Sequence, residues 1–181
     1  MSVSLDGFIS SATGDLAWAI PDEELHRHFN EVEASTGLFL YGRKMWEEMS
    51  AYWPTADADP AASAAVKEYA AIWREKPKIV FSNTLKEAGW NARIIRGDIA
   101  ATVRRLKEEE GNSLSVSGAE IAESFTRLGL IDEYWLYVTP VLLGGGRPMF
   151  QPGMASIPLE LLEMRPFAGG VVLLKYLRQS S

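Results

Sequence analysis

The chain has 181 residues, 47% of them hydrophobic, and 24 acidic against 18 basic side chains give it a net charge of −6. This composition predicts one globular domain over residues 1–181, and the acidic balance argues against general binding to nucleic acid or anionic membranes. No apolar run approaches the roughly 20 residues that span a bilayer, so we expect a cytoplasmic protein.

The first 35 residues predict a strand, a loop and a helix. Residues 1–9 alternate apolar and polar side chains around an Asp-Gly turn signal, and the following loop carries an apolar Trp18. Pro21 suits the first residue of a helix whose first turn is acidic, as the helix dipole favours. His26 and His28 point to different faces of this helix, and the chain lacks cysteine, so we predict no metal site, thiolate or disulfide.

Residues 36–53 predict a buried strand joined to a helix by one glycine. The apolar run 38–41 ends at Gly42, and apolar residues then recur at helical spacing. Such a junction leaves unpaired N–H groups at the helix start, where the dipole favours negative charge, and Arg43 and Lys44 add two cations. The junction is therefore a candidate phosphate site. The alternative is an ordinary strand–helix turn with two solvated cations.

Strands and helices alternate through the rest of the chain. A loop at residues 54–60 precedes a helix, and Asp98 and Gly111 are expected to begin and end another. Six further strands are predicted, at residues 78–82, 92–96, 113–116, 134–143, 159–164 and 171–177. Alternating units predict an α/β fold of three layers, α/β/α, with a mixed, mainly parallel sheet and antiparallel strands at its C-terminal edge.

Three loops suit a phosphorylated nucleotide because the loops after successive parallel strands share one crevice at the carboxyl ends of the strands. The first is the Gly42 junction, and the second is Ser82-Asn83, whose side chains can bond phosphate or ribose oxygens. The third contains small residues at another helix start, where a pyrophosphate can approach the backbone: Ser117, Gly118, Ala119, Glu120 and Ile121. Small residues at such turns are also common for steric reasons alone.

Five stretches carry a family resemblance: SLDGFI at 4–9, YGRKMWE at 41–47, IVFSN at 79–83, VSGA at 116–119 and VTPVLLGGGRP at 138–148. In this order they resemble the dihydrofolate reductase-like superfamily, and in particular the branch similar to the C-terminal reductase domain of bacterial riboflavin biosynthesis enzymes. The family usually has consecutive glycines where this chain has a single glycine, at position 118. The riboflavin enzymes' Thr/Asp/Pro substrate signature after the second strand is missing.

The resemblance implies an NADPH-dependent reductase that passes hydride to a pterin-like or pyrimidine-like heterocycle, or to a related imine or carbonyl. Arg43 and Lys44 would meet cofactor phosphate, Ser82 and Asn83 the 2′-phosphate or ribose, and residues 117–121 the pyrophosphate. Residues around Ser2 to Ser4, with Ile9, would flank the nicotinamide. The resemblance also implies a homodimer built around residues 134–146. A catalytically silent nucleotide-binding homodimer is the alternative.

Nicotinamide supplies the hydride, so the protein must supply a proton or a polarising group, and a carboxyl in an apolar pocket suits this role. The resemblance places Glu23, or less readily Glu24, opposite the nicotinamide. Stabilisation of the helix start is the competing interpretation. Asp6 is a turn residue first and a catalytic candidate second. Trp18 is expected either to cap the substrate pocket or to anchor its own loop.

Overall fold

The computed structural model describes residues 1–109 and 113–179, so the helix end predicted at Gly111 lies outside the described residues. The chain forms two compact units. The terminal unit comprises Met1–Leu25 and Ile131–Ser181, and the central unit comprises His26–Leu130. A single domain over residues 1–181 stays a prediction. None of the described helices has the length and apolar character needed to cross a membrane.

The elements follow one another as strands and helices, as the sequence predicts. In chain order they are β1 Ser2–Ser4, β2 Phe8–Ser10, α1 Glu23–Ser35, β3 Leu38–Gly42, α2 Arg43–Tyr52, α3 Ala64–Glu75, β4 Lys78–Phe81, β5 Ala92–Ile95, α4 Ile99–Glu108, β6 Leu114–Ser117, α5 Ala119–Arg127, β7 Glu133–Thr139, β8 Arg147–Pro148, β9 Leu159–Pro166 and β10 Val172–Arg178. Short 3₁₀ turns lie at Ala17–Ala19 and Trp53–Ala58.

Four predicted boundaries were wrong for local reasons. Residues 1–9 form two strands, because the Asp-Gly turn interrupts them, and α1 begins after Pro21, with Asp22 as its cap. The loop predicted at residues 54–60 contains part of a 3₁₀ turn, with a proline near its start. Strand β7 ends before Pro140, which has no N–H to donate to a ladder.

The central unit holds a four-stranded parallel sheet in the order β5-β4-β3-β6. All four residues of β4 are buried, as expected for a strand covered on both faces. From β3 the chain continues to β4 on one side, whereas β6 lies on the other side, so the strand order reverses beside β3. The predicted mainly parallel sheet is confirmed.

The terminal unit holds a mixed sheet in the order β1-β7-β10-β9 and a short pairing of β2 with β8. Strand β1 runs parallel to β7, and the β7, β10 and β9 neighbours run antiparallel. The hairpin predicted at residues 159–177 is confirmed, with β9 two residues longer than expected and β10 shifted by one residue. Together the two sheets confirm the α/β class with antiparallel strands at its C-terminal edge.

An aromatic core fixes the first turn of α2. Trp46 is 4% exposed and stacks on the fully buried Trp73 with 5.7 Å between ring centroids, and Trp73 Nε1 donates to Tyr41 Oη at 3.2 Å. Because Trp46 is anchored in this core, the preceding residues of α2 have a fixed position.

The same core holds a lysine. Lys78 Nζ lies 4.3 Å from the centroid of the Trp73 ring, and burial lowers the pKa of Lys78 to about 8.

Candidate functional site

The carboxyl ends of three neighbouring strands bring together the three loops that the sequence singled out. Strand β3 lies between β4 and β6, with Gly42 beside Phe81 and Tyr41 beside Ser117. The loop that begins at Ser82 therefore follows β4 on one side, and the Gly118 turn follows β6 on the other. This is the edge at which ligands bind in open α/β sheets, beside the point where strand order reverses.

The helices that start at this edge differ from the others in how they begin. Side chains cap three helices: Asp22 Oδ1 accepts from the third N–H of α1, Ser63 caps α3 and Asp98 caps α4. The N-cap residues of α2 and α5 are Gly42 and Gly118, and neither helix receives a capping hydrogen bond from a described side chain. Neither start is therefore closed by an N-cap side chain, and the positive end of each helix dipole suits an anion.

The close approach of the two helix starts depends on Gly118. A Cβ at this position would lie 3.1 Å from Met45 Cβ, tighter than an ordinary contact, whereas a Cβ at Gly42 would lie at an ordinary 3.5 Å from Ile121 Cβ. Gly118 also has φ of 114°, which side-chain-bearing residues rarely adopt. Ser117 ends β6 and Ala119 begins α5, so one glycine supplies the unusual backbone at the position where the family usually has consecutive glycines.

Both cations of the first α2 turn are paired with carboxylates. Lys44 Nζ donates to Glu120 Oε1 at 2.6 Å, and Arg43 Nη1 donates to Glu47 at 2.9 Å. The first turn of α2 contains no acidic residue, so its two cations oppose the helix dipole. The two glutamates offset this charge, as a bound anion would.

The loop after β4 has one residue engaged in its own turn and one facing solvent. Ser82 Oγ accepts from the N–H groups of Thr84 and Leu85 at 3.3 and 3.0 Å. Asn83 is exposed at the turn. The serine therefore shapes the loop, and the Asn83 amide is the more accessible polar group.

In the terminal unit, Asp6 ties two turns together. Its carboxylate accepts hydrogen bonds from Ser4 Oγ at 2.6 Å and from the N–H groups of Leu143 and Gly144 at 3.1 and 2.7 Å. The hydrogen bond from Ser4, followed by those of the two N–H groups, lowers the pKa of Asp6. This geometry supports the turn interpretation, and a catalytic role for Asp6 stays a prediction.

The start of α1 separates the two candidate glutamates. Glu24 is half-buried, and its Oε2 accepts from the Ala168 N–H at 2.9 Å. Glu23 is exposed in the first turn of the helix. Glu24 therefore contributes to the structure of its unit, whereas the Glu23 carboxylate lies at the surface, where a ligand can reach it.

The remaining candidates in the terminal unit lie on short elements. Ser2 belongs to β1 and Ile9 to β2, and both are half-buried. Trp18 Nε1 donates to the Asp15 carbonyl at 3.1 Å, which fits the interpretation that this ring anchors its own loop. Its expected contact with substrate stays a prediction.

Comparisons with known proteins give this site a family context. The family model described as RibD C-terminal domain matches residues 1–173. The uncharacterised protein YyaP of Bacillus subtilis is 34% identical over 97% of this chain and 91% of its own length.

Solved structures share the fold. A protein described as a putative riboflavin biosynthesis protein, from Shewanella sp. PV-4, superposes with a TM-score of 0.77 at 23% identity, over 99% of this chain and 97% of the other. The dihydrofolate reductase of Enterococcus faecalis, solved with NADP(H), gives a TM-score of 0.61 at 11% identity, over 99% and 94% of the two chains. The expected dihydrofolate reductase-like fold is thus confirmed, and the chain belongs to the RibD C-terminal domain family.

Proposed function

We propose that this protein is an NADPH-dependent reductase that transfers hydride to a small nitrogen heterocycle, pterin-like or pyrimidine-like, or to a related imine or carbonyl. The observation that carries the proposal is the pair of glycine-capped helix starts at neighbouring strand ends, with two cations on the first turn of α2. Membership of a family whose fold is shared with an NADP(H)-bound dihydrofolate reductase supports it.

The proposed cofactor contacts in the central unit follow from charge and access. The starts of α2 and α5, with Gly42, Gly118 and the neighbouring residues up to Ile121, suit a pyrophosphate because neither is closed by an N-cap side chain. Arg43 and Lys44 add charge-assisted bonds to phosphate oxygens. Asn83, with Ser82 shaping its loop, is proposed to contact the adenosine ribose or its 2′-phosphate.

The proposed chemistry in the terminal unit depends on Glu23. Bound nicotinamide supplies the hydride, and Ser2 and Ile9 are proposed to flank its ring. The Glu23 carboxyl is proposed to supply the proton, with Glu24 holding the chain at Ala168. Because Glu23 is exposed in the free protein, the bound ligands must exclude water from its carboxyl before it can act as the proton donor.

The decisive experiment titrates the purified protein with NADPH and with NADH, followed by thermal unfolding and tryptophan fluorescence. A ligand at about 100 times its dissociation constant adds roughly 2.7 kcal/mol to stability. Binding followed by cofactor oxidation with a pterin, pyrimidine or carbonyl supports the reductase. Binding without turnover of any of them supports the silent nucleotide-binding alternative, which the exposure of Glu23 favours. Failure to bind either cofactor contradicts both.

Replacing Arg43 with alanine is expected to weaken NADPH binding about 10- to 100-fold, because one charge-assisted bond to phosphate is worth roughly 1.5–3 kcal/mol. Arg105→Ala is the matched control, since Arg105 also pairs with a glutamate four residues on along an exposed helix face. The measurement is the dissociation constant by fluorescence titration. Equal affinities of the two variants would contradict the phosphate assignment.

We also propose that the protein is a homodimer, with the contact on β9 rather than on the aromatic residues of β7. Tyr134 and Tyr137 are 7% and 5% exposed, so they are buried within their own chain, and the half-buried Trp135 ring is covered by Lys175, whose Nζ lies 4.2 Å from its centroid. Strand β9 is exposed at all eight positions and forms the edge of its sheet. The outer edge of such a strand presents backbone N–H and C=O groups with which another chain can pair.

A β-bulge gives β9 one apolar face. Leu161 pairs with Tyr176 and Glu163 with Lys175, so Leu162 is the extra residue between them. As a result Leu159, Leu161 and Met164 share one face, 39%, 52% and 65% exposed, and the charged residues of β9 take the other. Two chains of net charge −6 repel each other elsewhere, so a charge-free face is where a second copy can pack.

Met164→Glu is expected to convert the dimer to a monomer, because it places two carboxylates in an apolar contact around the two-fold axis. Leu128→Glu, at an exposed leucine of the central unit, is the control and should stay dimeric. Size-exclusion chromatography with light scattering over a range of concentrations measures the mass. A monomeric wild type, or a dimer that withstands Met164→Glu, would contradict this interface.

A further inference from the structure

The start of α5 carries a carboxylate where the proposed cofactor needs room for a phosphate. Glu120 is the second residue of α5, and its Oε1 accepts the 2.6 Å hydrogen bond from Lys44 Nζ at the start of α2. Glycines at positions 42 and 118 leave little room beside Ile121 and Met45, since an added Cβ would lie 3.5 and 3.1 Å from their Cβ atoms, so the two helix starts approach closely. The ion pair therefore lies across the two open helix starts.

The other cation at this edge is held differently. Arg43 pairs with Glu47 four residues along the same helix, a local contact within α2. Lys44 and Glu120 are 76 residues apart in sequence and join two separate helices. Of these two pairs, only Lys44–Glu120 joins a carboxylate at the start of one helix to a cation at the start of another.

We propose that Glu120 is a built-in competitor of the cofactor pyrophosphate: its carboxylate neutralises Lys44 in the free protein and gives Lys44 up when pyrophosphate binds. This inference rests on the proposed NADPH site. It changes the role expected for Glu120, which then opposes the cofactor instead of contributing to its binding.

The exposure of the pair makes the exchange easy. The side chains of Lys44 and Glu120 are 66% and 62% exposed, and ion pairs of this kind are weak. A pyrophosphate carries more negative charge than one carboxylate and is also favoured by the dipoles of the two helix starts. Once displaced, Glu120 stays on the first turn of α5, where its charge repels the bound phosphates. Glu120 thus lowers affinity both before and after the exchange.

Glu120→Gln is expected to tighten binding of NADPH and of NADH alike, about 3- to 10-fold, because the pyrophosphate is common to both. The gain should shrink between 0.1 and 1 M salt, as the screening length falls from about 10 to 3 Å. Glu123→Gln is the matched control, since Glu123 lies on the same helix and pairs with Arg127. Its affinities should equal those of the wild type.

The outcomes separate this inference from the function on which it rests. Tighter binding of both dinucleotides by Glu120→Gln alone supports it. Unchanged or weaker binding, in a wild type that binds NADPH, overturns the competitor and leaves the cofactor site standing. Tightening of NADPH but not NADH overturns the pyrophosphate assignment. If neither dinucleotide binds the wild type or Glu120→Gln, the proposed function and this inference fail together.

Discussion

Replacing Glu23 with glutamine is expected to leave NADPH binding unchanged and to lower the rate of hydride transfer about 10²- to 10⁴-fold. Glutamine keeps the size and polarity of the side chain but has no acidic proton to transfer, and a positioned acid contributes a factor of this order. Single-turnover oxidation of NADPH with a substrate found by screening measures the step. Fluorescence titration checks that the cofactor still binds.

Glu24→Gln is the matched control for the same helix turn. Glutamine at this position still accepts the Ala168 N–H through its amide oxygen, so both structure and rate should be preserved. If Glu23→Gln is fully active and Glu24→Gln is slow, the proton donor is Glu24, one residue further along. If both variants are fully active, the proton comes from elsewhere and the carboxyl assignment is wrong.

Gly146→Ala is expected to destabilise the protein by about 3 kcal/mol or more. A Cβ at this position would lie 2.0 Å from the Ser10 carbonyl oxygen and 2.9 Å from the Ser11 carbonyl carbon, so backbone must move. The φ of 135° at Gly146 adds strain, since such conformations cost side-chain-bearing residues roughly 1–3 kcal/mol. Urea unfolding followed by tryptophan fluorescence gives the change in free energy.

The neighbouring glycine supplies the control. A Cβ at Gly145 would meet nothing within 4 Å, so Gly145→Ala should change stability by no more than about 0.5 kcal/mol. Equal stabilities of the two variants would show that the approach of Ser10 to Gly146 is not a constraint on the fold. A larger loss at Gly145 would place the tight contact one residue earlier.

Local features of the site were readable from the sequence because they depend on neighbours along the chain. The run from Leu38 to Gly42 and the helical spacing after it predicted β3 and α2, and Asp98 predicted the start of α4. The alternation of strands and helices also placed the three loops at one sheet edge, because the carboxyl ends of parallel strands meet there. The pairing of Arg43 with Glu47 follows the i,i+4 rule of a helix surface.

Contacts between distant residues were not readable, because they depend on strand order and on register. The pairing of Lys44 with Glu120 requires β3 and β6 to be neighbours, and Asp6 meets Gly144 across 138 residues. The apolar face of β9 depends on the β-bulge at Leu162, which the sequence of this strand does not indicate.

By itself the sequence determined the α/β class, the glycine-capped helix starts and the cations beside them, since each follows from composition or from residues a few positions apart. The tertiary structure alone decided that Lys44 is already occupied by Glu120 and that Glu23, not Glu24, is exposed. The physical reason is that an ion pair or a buried face exists only after chain segments far apart in sequence have packed together.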